Sequence, residues 1–167
     1  MDRRQIAAVL TLKRLGVKFK LETFIDRLIA QKAIYLAQTV GADLGYFYGW
    51  YLRGPYCPAL TEDLFGAVAS DAARDIKRSR WTLDERTAQR LDHLSGVVGV
   101  KGGDKETLAR RLELLASVHF LIAQKQVAHH DPKTIAEKLR AYGKQFDEKD
   151  AKDAIVALHE LKASSAA

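Results

Sequence analysis

Cysteine is almost absent from this sequence, which contains only Cys57 among its 167 residues. One cysteine can form neither an internal disulfide nor a cysteine-rich zinc site. The chain therefore gives no sign of an oxidising compartment, and we expect a cytoplasmic protein. Cys57 itself precedes Pro58, so we interpret it as a turn residue at a helix start rather than as a nucleophile.

Long apolar runs are also missing. No uninterrupted apolar stretch approaches the roughly 20 residues that a membrane-spanning helix needs. The basic N-terminus has apolar residues at helical spacing and no small-residue cleavage site after it, so we expect a helix of the mature protein rather than a signal peptide. These absences predict that the chain has no membrane partner.

No catalytic, metal-binding or phosphate-binding motif stands out. Gly102 and Gly103 lack the surrounding spacing of a phosphate-binding loop. His119 lies near an apolar helix face, where a core role is the usual one, and the adjacent pair His129 and His130 has no third ligand nearby. We therefore expect a protein that is not an enzyme and that uses no cofactor or metal.

Positive charge exceeds negative charge by six, and the excess is uneven. Two segments concentrate it, and their basic residues are Arg3, Arg4, Lys13, Arg14, Lys77, Arg78 and Arg80. Such runs are usually a solvated face, but they are also typical of surfaces that contact nucleic acid. Both interpretations stay open at this point.

Apolar periodicity predicts a mainly α fold. Residues recur three or four positions apart in several segments, each of which predicts a helix: 3–15, about 21–40, 58–69, 84–98, 105 onward, 132–142 and 148–161. The segment from residue 105 has the strongest pattern and is expected to be the central core helix. We expect one compact multi-helix domain over residues 1–163, with a frayed tail at 164–167.

A small antiparallel sheet of two or three strands is expected beside these helices. The aromatic run 46–52 favours a strand, with Tyr48, Trp50 and Leu52 on one face and the side chains of residues 47, 51 and 53 on the other. Residues 53–56 are expected to form a turn into the next helix. The basic segment 71–83 could supply another short strand or hairpin arm, which would make the first half of the chain winged-helix-like.

Two polar residues fall on the buried stripe of the second helix. Gln31 lies three residues after Leu28 and four before Tyr35, and Lys32 lies seven after Ile25. A buried polar group without a partner costs about 1 to 3 kcal/mol, so we expect both side chains to bind backbone carbonyls or a carboxylate. They either fasten the fold or form the floor of a pocket. Phe24, Ile29 and Leu36 are expected on the same buried stripe.

Residues 28 to 64 carry two linked motifs. They read Leu28-x-x-Gln31-Lys32-x-x-Tyr35-Leu36 and Trp50-Tyr51-x-x-Gly54-Pro55-Tyr56-x-Pro58-x-Leu60. This stretch resembles the Panacea domain, the SocA-like group of bacterial and archaeal proteins, and in particular its YwgA-like branch. Two positions depart from the usual pattern: Cys57 replaces the common Ser or Thr, and Ala33 replaces Leu or Val.

The resemblance implies a mostly helical fold without catalytic activity. Members of the wider group act as antitoxins or as adaptors that present a toxin to a protease, so it implies a toxin or a component of a protease system as partner. It marks Gln31, Lys32, Tyr35, Trp50, Gly54 and Pro55 as fold or pocket residues. Arg53 and Tyr56, at the expected turn, are the candidates for partner contact, because Arg and Tyr are enriched among binding hot spots.

Nucleic-acid binding is the alternative function. The basic residues at both segments would supply phosphate contacts, whose affinity depends strongly on salt. Against it, the helix predicted at 58–69 contains Glu62 and Asp63 but no Lys or Arg, which makes it a poor recognition helix.

Overall fold

The computed structural model describes residues 2–128 and 130–165. Over these residues it contains eight helices and one two-stranded antiparallel sheet, which confirms the predicted mainly α fold with a small sheet. The helices are α1 Arg3–Leu15, α2 Phe24–Thr39, α3 Pro58–Ala69, α4 Ala72–Ser79, α5 Glu85–Val98, α6 Lys105–Ala123, α7 Pro132–Ala141 and α8 Glu148–Ser165. The strands are β1 Gly49–Tyr51 and β2 Gly54–Tyr56.

Helices α2 and α6 form the centre of the core. Each carries apolar residues with no exposed surface, including Ile34 and Leu36 on α2 and Leu115 and Leu121 on α6. Helices α1, α3, α5 and α8 pack on one or both of them, whereas α4 packs on α1 and α3 and α7 packs on α8. The hairpin β1–β2 contacts α2 and α6 through β2. The expectation that α6 is the central helix is confirmed.

The start of α2 is set by a capping box. The Thr23 side chain accepts a hydrogen bond from the Asp26 backbone, and the Asp26 carboxylate accepts one from the Thr23 backbone. The helix therefore begins at Phe24 rather than near residue 21, as the periodicity alone predicts. Phe24 was expected to be buried, but 55% of it is exposed, because at the first helical position it lines surface cavities instead of the core.

The hairpin corrects the expected strand and turn. β1 covers only three residues of the predicted strand 46–52, and residues 54–56, predicted to form a turn, are β2. The register pairs Trp50 with Pro55, and the two-residue connection is Leu52-Arg53. The prediction for Leu52 is wrong, because it lies in this connection rather than on the strand face with Tyr48 and Trp50, and it is 93% exposed.

The segment after α3 is a helix rather than a strand. α4 occupies residues 72–79 of the segment expected to form a strand or hairpin arm, and residues 81–84 have no regular structure. Ile76 accounts for the position of this helix, since it is buried in a cluster with Ile6 and Val9 of α1 and Ala67 of α3. Because Ile76 is the one large apolar residue in the sequence of α4, no helical spacing of apolar residues could be recognised.

Helix α8 continues through Ser165, so two residues of the expected tail 164–167 are helical. Residues 166 and 167 lie outside the described residues, as do Met1 and His129. In the part of the chain that is described, no helix is both long enough and apolar enough to span a bilayer.

Candidate functional site

Gln31 binds the main chain at the junction between β2 and α3. Its side-chain Nε2 donates to the Cys57 carbonyl at 2.8 Å, and its Oε1 accepts from the Cys57 N–H at 3.0 Å. Nε2 also donates to Thr61 Oγ1 at 2.8 Å. The buried amide is fully partnered, as expected from its place on the apolar stripe.

Gln38 repeats this arrangement two helical turns later, and the sequence analysis missed it. Its Nε2 donates to the Tyr46 carbonyl and its Oε1 accepts from the Tyr46 N–H, each at 2.9 Å. These bonds occupy the Tyr46 backbone three residues before β1, which begins at Gly49, opposite the last residue of β2. The spacing of seven residues from Gln31, on the same helix face, is the signal that could have revealed it.

Lys32 is buried on the other side of the same junction. Only 2% of the residue is exposed, and its ammonium donates to the Pro55 carbonyl in β2. The pKa of Lys32 is lowered to about 7, mainly by burial and also by the nearby Lys144, while Glu113 acts in the opposite direction. Gln31 and Lys32 therefore both fasten the hairpin to α2 through backbone carbonyls, which confirms the expected type of partner.

The turn of the hairpin is held by a buried ion pair that sequence reasoning did not identify. Lys144 donates to Glu113 Oε1 at 2.6 Å and to the Leu52 carbonyl at 3.4 Å. Its Nζ lies 5.5 Å from the centre of the Trp50 ring. Burial lowers the pKa of Lys144, although the hydrogen bond to Glu113 opposes that shift. Lys144 lies in the connection between α7 and α8, 31 positions after Glu113 of α6, and charged residues so far apart offer no local pattern to detect.

Arg53 adds a weaker contact to the same carboxylate. Its guanidinium lies 3.7 Å from Glu113 Oε2 and 5.8 Å from the centre of the Phe24 ring. The side chain is 61% exposed, so this ion pair is screened by solvent and contributes little to stability. Arg53 is thus accessible, as its predicted role in partner contact requires.

Gly54 allows the hairpin to lie directly on α6. Its φ of +85° is in the left-handed region, and a Cβ at this position would overlap the Ser117 hydroxyl. Ser117 Oγ is buried and has no hydrogen-bond partner among the described residues. Gly54 and Pro55 are both buried, so these two motif residues shape the contact between hairpin and helix.

Tyr35 and Trp50 make aromatic contacts beside the junction formed by Gln31 and Lys32. The Tyr35 hydroxyl is 2.7 Å from His119 Nδ1, and its ring meets Tyr48 edge-on. Burial raises the pKa of Tyr35 and lowers that of His119. Trp50 packs between Phe120 and Tyr142. Both aromatic residues belong to the core around the hairpin.

A groove with a volume of about 440 Å³ opens beside the hairpin. Its floor includes Gln31 and Lys32, and Arg53, Gly54 and Tyr56 line it as well, so the structure brings these predicted residues together. Four large side chains at its edge are about half exposed or more, and we call them the apolar rim: Phe24, Tyr51, Leu52 and Phe65.

Tyr56 connects the floor of this groove to its wall. Its hydroxyl accepts a 2.9 Å hydrogen bond from Thr61 Oγ1, the same hydroxyl that accepts from Gln31. Its ring packs edge-on against Tyr51 at 5.1 Å. Tyr56 is half-buried, and it therefore contributes a fixed polar atom to the groove rather than a mobile side chain at the rim.

A second cavity, of about 850 Å³, also borders the Leu52-Arg53 turn. Phe24, Leu28 and the two turn residues line both spaces. Glu106 and Glu113 line only the second one, so the two cavities differ in charge. Both cavities are thus bordered by the side chains of the hairpin turn.

The predicted basic residues are only partly available. Arg4 donates to Asp63 at 2.7 Å and covers the Tyr46 ring, and Arg14 forms an ion pair with Asp92. Arg3, Lys13, Lys77, Arg78 and Arg80 are exposed. Packing of α1 on α4 brings the two basic segments into adjacent positions.

The histidines do not converge on a metal site. Among the described residues no group of three or more His, Cys, Asp or Glu is placed to hold a metal ion, and His129 lies outside them. A further cavity of about 410 Å³ between α2, α6 and α8 is lined by His119 and His159 within mostly apolar surroundings. Cys57 is buried and caps α3 without a side-chain hydrogen bond.

Comparison with protein-family models, with curated proteins and with solved structures finds no match to this chain.

Proposed function

We propose that the protein is a non-enzymatic interaction module that binds a partner protein in the groove beside the hairpin. The observation that carries this proposal is the apolar rim, whose four large side chains are exposed around one cavity. Clusters of exposed apolar side chains of this kind mark interaction surfaces, whereas isolated ones do not.

The interior of the hairpin supports the same proposal. Its polar groups are already partnered: Gln31 with Cys57, Lys32 with Pro55, and Lys144 with Glu113. A rigid support presents the rim with little loss of entropy on binding, which favours affinity. The inner motif residues thus act as fasteners, and the rim together with Arg53 and Tyr56 acts as the contact surface.

The resemblance to the Panacea domain suggests what the partner is. On that basis we propose an antitoxin or proteolytic adaptor that acts in the cytoplasm on a toxin or on a component of a protease system. The support is the motif in residues 28 to 64, whose polar members occupy the positions that hold the hairpin.

Site-specific photo-crosslinking in cells tests this function. A photoreactive amino acid at position 52 reports on the groove, and one at position 156 is the matched control, since Val156 is 61% exposed on α8. Any protein captured from position 52 is then purified and its affinity measured. We expect Leu52→Ser with Phe65→Ser to weaken binding at least about tenfold, as loss of central interface contacts does, and Val156→Ser to leave it unchanged. Equal affinities would contradict the proposal.

Nucleic-acid binding is the second candidate, and one observation favours it. The exposed basic residues of α1 and α4 lie on adjacent helices. Polarisation assays with duplex and single-stranded oligonucleotides at low salt test it. Binding that weakens steeply with salt and is reduced in Lys77→Gln with Arg78→Gln supports this candidate, whereas no binding at low salt contradicts it.

A further inference from the structure

The charge of the groove is of one sign. Three charged side chains line it, and all are basic: Arg27, Lys32 and Arg53. Arg27 donates to the Leu21 and Glu22 carbonyls, and Arg53 approaches Glu113, which lines the second cavity instead. Within the described part of the chain no acidic side chain lines the groove itself, so its electrostatic complement is an anion.

Two hydrogen-bond donors in the groove have unused capacity. An ammonium carries three N–H groups, and that of Lys32 donates to one acceptor among the described residues, the Pro55 carbonyl. The Tyr56 hydroxyl accepts a hydrogen bond from Thr61 Oγ1, and its own proton has no acceptor among the described residues. A carboxylate has two oxygens and accepts from both kinds of donor.

We infer that the groove binds a segment of a partner protein in which an acidic residue lies next to a large apolar residue. Tyr56 receives the carboxylate together with Lys32, whose ammonium keeps its fastening bond to the Pro55 carbonyl and uses a remaining N–H group, and the apolar side chain covers the apolar rim. Such charge-assisted hydrogen bonds are stronger than neutral ones and fix the register of the bound segment. This inference rests on the proposed function, because it names the chemistry of the partner at the same groove.

The rim distinguishes a protein segment from other anions. A small free carboxylate could reach the floor of the groove but would leave exposed side chains such as Leu52 and Phe65 uncovered. A phosphate backbone is polar throughout and offers nothing apolar to cover them. A peptide segment supplies both groups, with side chains spaced to reach the floor and the rim together.

A displayed library of random peptides, held between fixed flanks so that no chain end is free, tests the inference. The library is selected on the wild-type protein and counter-selected on the Leu52→Ser and Phe65→Ser double variant, with Val156→Ser as the control. We expect groove-dependent peptides that share an acidic residue beside a large apolar one. Replacing that acid by its amide is expected to weaken binding to the wild type at least about tenfold, in line with truncation of a buried charged contact.

A double-mutant cycle assigns the carboxylate to its receptor. In Lys32→Met, the same acid-to-amide change in the peptide is expected to alter affinity less than about twofold, because the charge that received the acid is gone. Tyr56→Phe removes only a hydroxyl and provides a second cycle if Lys32→Met does not fold. The assignment would be overturned if the acid-to-amide change weakened peptide binding to Tyr56→Phe as much as it weakens binding to the wild type, and did the same in Lys32→Met if that variant folds.

The outcomes separate the inference from the proposed function. Groove-dependent peptides that share no acidic residue overturn the inference and leave the groove as a binding surface. Peptides that bind the rim variant as well as the wild type, or a library that yields no enrichment, contradict the proposed function as well.

Discussion

Gln31 forms with the main chain of Cys57 the two hydrogen bonds that a neighbouring strand would form. Its amide both donates to the carbonyl and accepts from the N–H of the same residue, at 2.8 and 3.0 Å. Gln38 forms the same two hydrogen bonds with the main chain of Tyr46. One face of α2 therefore binds the main chain before β1 and after β2 in the way that a third strand would. Its polar side chains satisfy backbone groups that the two-stranded sheet leaves without partners.

The variant Gln31→Ala tests whether these hydrogen bonds to the main chain stabilise the fold. The change leaves the buried N–H and C=O of Cys57 without their partner, and we expect the free energy of unfolding to fall by about 1 to 3 kcal/mol. Urea denaturation measures it. Gln89→Ala is the matched control, since Gln89 bonds only an exposed side chain one turn away and should change stability by less than about 0.5 kcal/mol. Equal effects of the two changes would show that the bonds to Cys57 are not important.

Gly54→Ala probes the contact between the hairpin and α6. The new methyl group meets the Ser117 hydroxyl and the backbone has φ of +85°, so we expect a loss above about 1 kcal/mol. Gly45→Ala is the control for backbone strain alone, because its φ is +73° with nothing within 4 Å. Ser117→Ala should restore part of the stability lost in Gly54→Ala. Additive effects of the two changes in thermal unfolding would contradict the close approach.

The ion pair between Lys144 and Glu113 should show strong coupling. Lys144→Met removes the direct ion-pair partner of a buried carboxylate and leaves the exposed Arg53 and the more distant Lys32 as its basic neighbours, so we expect a loss of roughly 3 to 5 kcal/mol. The double change Lys144→Met with Glu113→Leu should be less destabilising than Lys144→Met alone. In contrast, Arg14→Met breaks an exposed ion pair and should cost less than about 1 kcal/mol. A double variant that is less stable than Lys144→Met would refute the coupling.

Lys32 predicts a pH dependence of stability. Its pKa falls from the ordinary 10.5 to about 7 in the folded protein, mainly through burial, with Lys144 and Glu113 acting in opposite directions. Between these two values the unfolded chain holds a proton that the folded chain has released, so the contribution of Lys32 to the free energy of unfolding rises with pH across that window. Below pH of about 7 it is constant and unfavourable.

Denaturation of the wild type and of Lys32→Met across this range measures the effect. The wild type should gain stability relative to the variant as pH increases from about 7 toward 10. Nuclear magnetic resonance of the Lys32 side chain gives a direct midpoint, which we expect near pH 7. A midpoint near 10.5, with a pH-independent difference in stability, is the opposite result.

Local patterns predicted much of the fold, and distant pairings account for the rest. The helix over 3–15 and the start of α3 after Cys57 were predictable because Gly16 and Pro58 mark their ends. The polar stripe at Gln31 and Lys32 predicted partnered side chains. Lys144, in the connection between α7 and α8, meets Glu113 of α6 only through tertiary packing, and α4 is held by the burial of Ile76 against α1 and α3. Neither of these contacts produces a periodic pattern in the sequence.

The candidate site was predicted in part for the same reason. The residues of the motif identified the hairpin, and Arg53 and Tyr56 do line the groove. The rim could not be predicted, because the alternation placed Leu52 on a strand face with Tyr48 and Trp50, and the periodicity placed Phe24 on the buried stripe of α2. Their exposure follows from a two-residue turn and a helix start, which are set by the pairing register and by the capping box at Thr23.

The central claim is that a partner binds at the groove beside the hairpin. An amide chemical-shift titration of the isotopically labelled full chain with a peptide selected on it tests this most directly. The account predicts that the largest shifts fall in three segments that line the groove: residues 24–32, 51–56 and 61–65. Shifts centred instead on the cavity between α2, α6 and α8, around His119, Ile155 and Lys162, would contradict it.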